Sequence, residues 1–441
     1  MIGIVVSRAD SASVLIGEQL VELADWRPKE DPDRPDDEGG GTYYTLDTDA
    51  ASFELRTFEE WHLELEGVAD AFSGPDLVIF ASRHSGETGP LLTAHFTGNF
   101  GEAEFGGEDG DLAEACPAAH KRLLEGFREH APEGYEVGME CTHHGPSSVG
   151  APSLFAELGS DEEEWADDAG ARAVARSILG LDGIAHQEKQ LVAFGGGHYV
   201  PRPERVVRET PWAVGHIGAD WCLDSMGPLD PDVIGSAFEE SRAELAVIDG
   251  EHPELESVIE ELGHRVVSET WLREVGDREL DLVSRLEAEL GSVDEGLRFG
   301  ERDEGEGFEP RPLPTEVIET ARAVDPDAVR DAVERHTLAF RTTEGGTEIG
   351  ERAAFVDGAD REALIDDLVA VLEREYEIER NAAGVRIHER AFDPEKAAIL
   401  GVPEGPAFGR LASGESVEVD GRTIEPEAVT SEEIRTLSYS S

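Results

Sequence analysis

The chain has 441 residues, with 37 Lys+Arg against 98 Asp+Glu, a formal net charge of −61, and only four of the cations are lysines. The acid excess runs along the whole sequence beside a 39% hydrophobic content, which excludes a disordered acidic tail and predicts a real core. No apolar run approaches the roughly 20 residues of a membrane span. Three scattered cysteines exclude a disulfide framework, and the charge argues against ordinary nucleic-acid binding through a basic surface. In molar salt the Debye length is about 3 Å, so self-repulsion is screened and hydrated carboxylates keep a protein dissolved. The expected setting is therefore the high-salt cytoplasm of a haloarchaeon.

In chain order, residues 2–6 form a short continuous apolar run, a buried strand without the basic start of a signal peptide. A helix follows over 11–23. Residues 29–41 (KEDPDRPDDEGGG) have no apolar periodicity and read as a mobile surface insertion. Strands are expected at 53–58, 77–80, 91–96, 137–141, 191–194 and 245–248, with helices over 113–130, 162–179, 231–243 and 253–262. This alternation predicts one α/β layered domain with a mixed sheet. Gly, Pro and charge crowd residues 300–314 into a linker. The division expected is thus 1–299, a linker, and a smaller α+β region over 315–441, helical at 316–336 and 360–375, with short strands and turns from 399 to 429.

Three runs avoid the acidic background altogether: 88–100, 141–156 and 190–201 contain no Asp, Glu, Lys or Arg. They make up less than a tenth of the chain yet carry His95, His143, His144 and His198, four of its 14 histidines. Segments excluded from the solvated surface can supply neutral imidazoles to a cleft. The stretch 82–89 (SRHSGETG) follows a strand, where open α/β sheets place ligands. Arg83 there can grip a carboxylate or phosphate, and His84 and Glu87 can act as metal ligands or as an acid/base pair. The alternative is a polar turn with ordinary hydrogen bonds.

In 140–148 (ECTHHGPSS) neighbours on a strand face opposite ways, so Glu140 pairs better with His144 than with His143 in a strictly extended segment. The turn implied by Gly145-Pro146 relaxes that limit. In 194–202 (FGGGHYVPR) Gly195, Gly196 and Gly197 let a backbone approach a ligand or an oxyanion, and His198 can ligate or act as a base. This is neither a GxGxxG fingerprint nor a P-loop. His216 in Gly-His-Ile is a fourth candidate. Between 186 and 208 the charge inverts to +2 through Lys189, Arg202, Arg205 and Arg208 against Glu188 and Glu204, either a landing point for phosphate or a set of surface ion pairs. No Gly-x-Ser-x-Gly elbow supports a covalent serine.

Together with the opening IGIVVSRAD (2–10), the motifs SRHSGETGPLLTAHFTGN (82–99), ECTHHGPSS (140–148), FGGGHYVPR (194–202) and GHI (215–217) resemble the archaeal and plant type of D-aminoacyl-tRNA deacylase, over about residues 1–275. The resemblance implies a three-layer α/β/α fold of the phosphorylase/hydrolase kind. It implies zinc-dependent hydrolysis of the ester between a D-amino acid and tRNA, with one or two zinc ions per subunit. On that basis His84, His198 and Glu87 are the catalytic candidates, and His84, His143, His144, His198 and Glu140 the metal candidates. Arg83, Ser85, Thr97, Asn99, Gly195, Gly196, Gly197, Arg202, Arg205 and Arg208 are then placed with the substrate. The implied partner is tRNA charged with a D-amino acid, with no DNA, no membrane, and a monomer as the working unit.

A zinc peptidase or amidohydrolase, and a non-catalytic protein that grips the tRNA acceptor end, are the alternatives. The region after 300 lies outside that resemblance. About 30 residues from 400 to 424 resemble a segment of ribonuclease Z-type enzymes without their His-x-His-x-Asp-His signature, which implies an accessory module.

Overall fold

A computed structural model describes residues 1–49, 51–181, 187–303, 307–381 and 383–439; His186 and the centre of the expected linker, 304–306, lie outside them. The chain forms two compact units, Met1–Asp277 and Arg278–Ser441. The expected boundary at 299/300 is therefore displaced. The helix Leu280–Leu290 and the strand Leu297–Phe299 belong to the second unit, where Leu297–Phe299 pairs antiparallel with Ala339–Thr343. Part of the expected linker is itself a strand, Glu309–Pro312, paired with Glu348–Phe355.

The first unit begins β1 (Ile2–Ser7), α1 (Ser11–Leu23), β2 (Arg27–Asp31), β3 (Gly41–Asp47), β4 (Ser52–Phe58), β5 (Leu77–Arg83), β6 (Leu91–His95), α2 (Pro117–His130), β7 (Glu136–Val137), β8 (Ser153–Gly159) and α3 (Asp168–Leu179). It continues β9 (Gln190–Gly195), α4 (Pro201–Glu209), β10 (Ala213–Gly218), α5 (Asp220–Ser225), α6 (Pro231–Ser241), β11 (Leu245–Asp249), α7 (Pro253–Glu261), β12 (Arg265–Val266) and α8 (Glu269–Glu274). Eight strands form one mixed sheet in the order β2-β3-β4-β1-β5-β8-β6-β7. Its centre is parallel, β4-β1-β5-β8, and β6 runs antiparallel to β8. A second, parallel sheet runs β10-β9-β11-β12.

The α/β architecture with a mixed sheet is the one expected, but two sheets share the unit. Residues 29–31, read as irregular, lie in β2, whose backbone pairs in register with β3. The strand expected over 137–141 shrinks to β7, because the following residues bond singly to different elements. Glu140 N–H meets Ala94 O at 3.2 Å, Cys141 N–H meets His198 O at 3.0 Å, and Thr142 N–H meets Ile217 O at 2.9 Å. This segment thus ties the large sheet to the second sheet.

The inner strands are continuous apolar runs buried on both faces, as parallel strands under cover must be. On one face Val6 meets α1 at Gly17, where a Cβ would stand 2.9 Å from the valine. On the other, Val5, Val78, Phe80 and Phe155 join Val68 and Phe72 from the turns after β4. Asp10 joins local structure to the site: one carboxylate oxygen caps α1, accepting from Ala12 N–H at 2.9 Å and Ser13 N–H at 3.2 Å. The other accepts from Arg83 N–H at 2.9 Å, at the end of β5.

The second unit holds a four-stranded antiparallel sheet, a three-stranded sheet (Glu377–Asn381, Gly384–Phe392, Thr430–Ser438) and a short hairpin. The helix expected over 316–336 is two, Thr315–Val324 and Pro326–His336, because Asp325 caps the second and Pro326 opens it. Residues 406–412, expected to be turns and strands, are helical. Among the described residues no helix is long and apolar enough to cross a membrane.

Candidate active site

Four segments converge where β5 and β8 end. β5 delivers Arg83 and then His84, whose N–H bonds Leu158 O at 3.0 Å. β8 lies between β5 and β6, and its Glu157 is paired in register with Ser82 and Thr93. Residues 140–144 cross to the second sheet, and the turn after β9 brings His198 and Tyr199. Two close approaches need glycine. A Cβ on Gly159 would stand 2.6 Å from Cβ of His84, and one on Gly195 (φ +85°) would stand 2.3 Å from Asp249 O.

Glu140 and Glu157 are almost fully buried, 2% and 4% exposed, in a chain whose acid excess lies mostly in water, with Asp10, Glu54 and Asp360 also buried elsewhere. Nδ1 of His84 lies 3.3 Å from Oε1 of Glu140 and 3.7 Å from Oε2 of Glu157, and its Nε2 is 3.2 Å from the Tyr199 hydroxyl. Burial alone would lower the His84 pKa, but the two carboxylates outweigh it and raise it to about 10. His84 is thus a cation held by two anions. For Glu140, burial pushes upward, and the hydrogen bond from His198 together with the nearby His84 imidazole outweighs it, so the carboxyl falls well below its usual range. Glu157 is lowered in the same way by His84 and His95. Nε2–H of His198 donates to Oε2 of Glu140 at 2.6 Å.

Beside this acid pair stand three imidazoles, with ring centroids of His95 4.5 Å from His143 and 4.6 Å from His144, and those two 4.5 Å apart. Each directs Nδ1 at a backbone carbonyl: His95 to Phe96 O at 2.9 Å, His143 to Cys141 O and His144 to Gly145 O, both at 2.8 Å. A carbonyl only accepts, so Nδ1 carries the hydrogen and a neutral ring keeps a lone pair on Nε2. Burial lowers His144 to about 4 and His143 well below its ordinary value. His95 is raised: burial lowers it, and Glu157 outweighs that. Its Nε2 is buried without a hydrogen bond, as is Oε1 of Glu140.

Three triads of donors lie within 4.8 Å of one another: His95/His143/His144, Cys141/His143/His198 and His84/Glu140/Glu157. Carbonyl-oriented neutral imidazoles are suitable zinc ligands, so the donor set fits that metal. All of these donors except His95 and Cys141 line one cavity of about 500 Å³, with Trp61, Phe105, Phe155 and Trp221 also on its walls. Two other depressions, near His264 and near Met1, contain none of these triads.

His84, His143, His144, His198 and Glu140 all line this one cavity, divided among three separate triads. His143 and His144 both enter the cavity because 140–144 is not a regular strand, and Glu140 partners His198 and His84 in place of His144. Arg83 lines the cavity with its guanidinium 4.5 Å from each of the Trp61 and Trp165 rings, and Ser85 lies at the edge. Glu87 is exposed and outside the cluster. Thr97 is buried against Ser153, with the two hydroxyls 3.0 Å apart, and Asn99 bonds Gly106 O at 2.9 Å, bracing the loop before 110.

Gly195 and Gly196 take positive φ, Gly197 completes the turn, and the three shape its backbone without lining the cavity. Arg202, Arg205 and Arg208, expected to meet phosphate, are committed to acids. Arg205 grips Glu269 at 2.8 and 2.6 Å, Arg208 holds Glu204 at 2.9 Å, and Arg202 lies 3.4 Å from Asp249. His216 is a satisfied core residue, between Thr142 Oγ1 at 3.0 Å and Ala113 O at 2.8 Å. Sequence reasoning missed Glu157, Cys141 and Tyr199, and left His95 without a role. A lone acid inside the apolar run SLFAELG was the available signal for Glu157.

An α/β fold with buried acid–imidazole pairs around a cavity has the equipment a hydrolase needs. Residues 71–267 match the family model for D-aminoacyl-tRNA deacylase. The chain is 52% identical to the D-aminoacyl-tRNA deacylase of Halorubrum lacusprofundi, over 98% of this chain and 95% of that one. It is 52% identical to that of Natronomonas pharaonis, over 97% and 98%, and 31% identical to that of Methanococcoides burtonii, over 97% and 94%. This chain belongs to the D-aminoacyl-tRNA deacylase family. The likeness runs past residue 300, so the second unit is shared with these relatives and not outside the resemblance. A solved structure described as a conserved protein of unknown function, AF0625, aligns with a TM-score of 0.53 and 30% identity, over 60% of this chain and 94% of that one.

Proposed function

We propose that this chain hydrolyses the ester between a D-amino acid and tRNA, releasing both, as a step of translation quality control in a high-salt cytoplasm, and that it does so with zinc. The observation that carries the reading is the burial of Glu140 and Glu157 beside His84 and His198 on the wall of one cavity, with His95 packed behind Glu157. His95, His143 and His144 would hold the metal, with His198 and Cys141 beside them. Bound there, zinc supplies Lewis acidity toward the ester carbonyl and the hydrolytic water.

The chain's own groups do the rest. His198, its Nε2–H fixed by Glu140, takes the proton of the attacking water as that oxygen bonds to the carbonyl carbon. His84, kept cationic by two carboxylates, offers positive charge as the carbonyl oxygen becomes anionic. The ester C–O bond then breaks, and the ribose oxygen receives the proton held by His198. A mirror-image Cα exchanges hydrogen and side chain, so a wall of this cavity rejects L-aminoacyl esters sterically. The test is release of D-tyrosine and L-tyrosine from the corresponding Tyr-tRNA in molar KCl with zinc-replete protein. Selective release of the D isomer is expected; no release contradicts the reading.

A further inference from the structure

Every aromatic side chain that the described residues leave well exposed stands at one place. Phe105 is 59% exposed, Trp221 47% and Tyr199 39%; the other exposed large apolar residues, Leu262, Ile399, Leu400 and Ile434, are aliphatic. Phe105 and Trp221 line the cavity, and Tyr199 adjoins it through its hydroxyl on His84. The rings of Tyr199 and Trp221 flank His198, at 4.9 and 6.2 Å between centroids. Exposed rings gathered around one mouth mark an interaction site.

The charge around this mouth limits what it can grip. Among the described residues, Arg83 is the only lysine or arginine on the cavity wall, against the two carboxylates of Glu140 and Glu157. Arg202, Arg205 and Arg208 beyond the β9 turn are paired with acids. Over a chain of −61 in molar salt, counterion release contributes little attraction. Stacking survives such salt, and unpaired bases stack on exposed aromatic rings whatever their identity.

Resting on the reading of tRNA as substrate, we infer that Phe105, Tyr199 and Trp221 form a stacking rim that holds the unpaired 3′-terminal bases of the tRNA and delivers the ester to the cavity. Trp221 is the anchor, since its indole has the largest face and it lines the mouth. Recognition by this rim should depend only weakly on salt.

The test compares wild type with Trp221→Ala, Trp221→Phe and Phe105→Ala, using D-Tyr-tRNA, the trinucleotide CCA and the nucleoside-free D-tyrosine methyl ester. Trp221→Ala is expected to raise KM for D-Tyr-tRNA about tenfold, within the range of one lost stacked base, with kcat changed less than about twofold. Trp221→Phe should recover most of that loss. CCA should quench wild-type tryptophan fluorescence and compete with the substrate, both weakly dependent on KCl between about 1 and 3 M, and bind Trp221→Ala about tenfold more weakly.

Unchanged KM and unchanged CCA binding in both alanine variants overturn the inference. So does an equal loss on the methyl ester, which would place the ring against the amino acid. If wild type releases no D-tyrosine, the functional reading fails, while CCA quenching still decides whether the rim binds bases.

Discussion

The first unit holds carboxylates against basic side chains in two contrasting settings. Inside, Glu140 and Glu157 meet His84 and His95 with almost no solvent access. Outside, Glu204, Glu209 and Glu269 meet Arg205, Arg208 and Arg273 on α4 and α8, where the arginine side chains are 42–47% exposed. The exterior contacts are short, 2.6–3.0 Å, and the interior ones, that of His198 with Glu140 included, run from 2.6 to 3.7 Å, yet it is the surroundings that set their strength. In water with molar salt, an exposed pair is screened within a few ångströms and contributes little. In the interior the same attraction is strong, and neither ion can be left without the other. Acid on the surface therefore reports the solvent, while acid buried against the histidines of the cavity reports chemistry; Asp10, just as buried, serves as a helix cap instead.

Several substitutions can break or sharpen that contrast. The largest effect is expected from His84→Ala, which strands two buried carboxylates. Turnover of D-Tyr-tRNA should fall by about 10²–10⁴-fold, and unfolding by guanidinium should show a loss of about 3–5 kcal/mol. Next comes pH. Burial lowers His120 and His216 from 6.5 to about 4, so each takes up its proton in the unfolded chain before the folded one. Their contribution to stability is complete above pH 6.5 and is lost as the pH falls toward 4, at up to about 1.4 kcal/mol per pH unit for each. Unfolding curves at pH 6.5, 5.5 and 4.5 should show this slope, shallower in His120→Gln. Asp10→Ala removes the cap of α1 and the anchor of β5 together; a loss of about 1–2 kcal/mol is expected in the same assay, with reduced turnover as His84 shifts. The smallest effect is that of Arg205→Ala, whose kcat/KM should stay within about twofold of wild type, because that guanidinium is already engaged by Glu269 in exposed surroundings.

Much of the site was legible before the structure. Segments free of charge in an acidic chain singled out His143, His144 and His198, and the strand-end position singled out His84. Periodicity found β1, β5, β9 and β11 because each is a continuous apolar run. Glu157 escaped because it sits one residue beyond a charge-free run, and its burial depends on being flanked by β5 and β6, which local sequence does not encode. His95 was marked by the same charge-free segments but given no role, because that role comes from packing against His143 and His144. The arginines of α4 looked like a phosphate site in one dimension; Glu269, 64 residues from Arg205, neutralises that appearance in three. The unit boundary was misplaced for a similar reason, since Leu297–Phe299 is defined by a partner strand some 40 residues on.

The most direct test of the central claim sets Glu140→Gln beside Arg205→Ala in hydrolysis of D-Tyr-tRNA, at one KCl concentration, with far-ultraviolet circular dichroism to verify the fold. Glu140→Gln keeps the size of the side chain and removes the charge that holds His84 and His198. The account predicts a fall in kcat of at least about 100-fold for Glu140→Gln, with Arg205→Ala near wild type. Equal activity in the two variants, or a greater loss on removing the surface arginine, would contradict it.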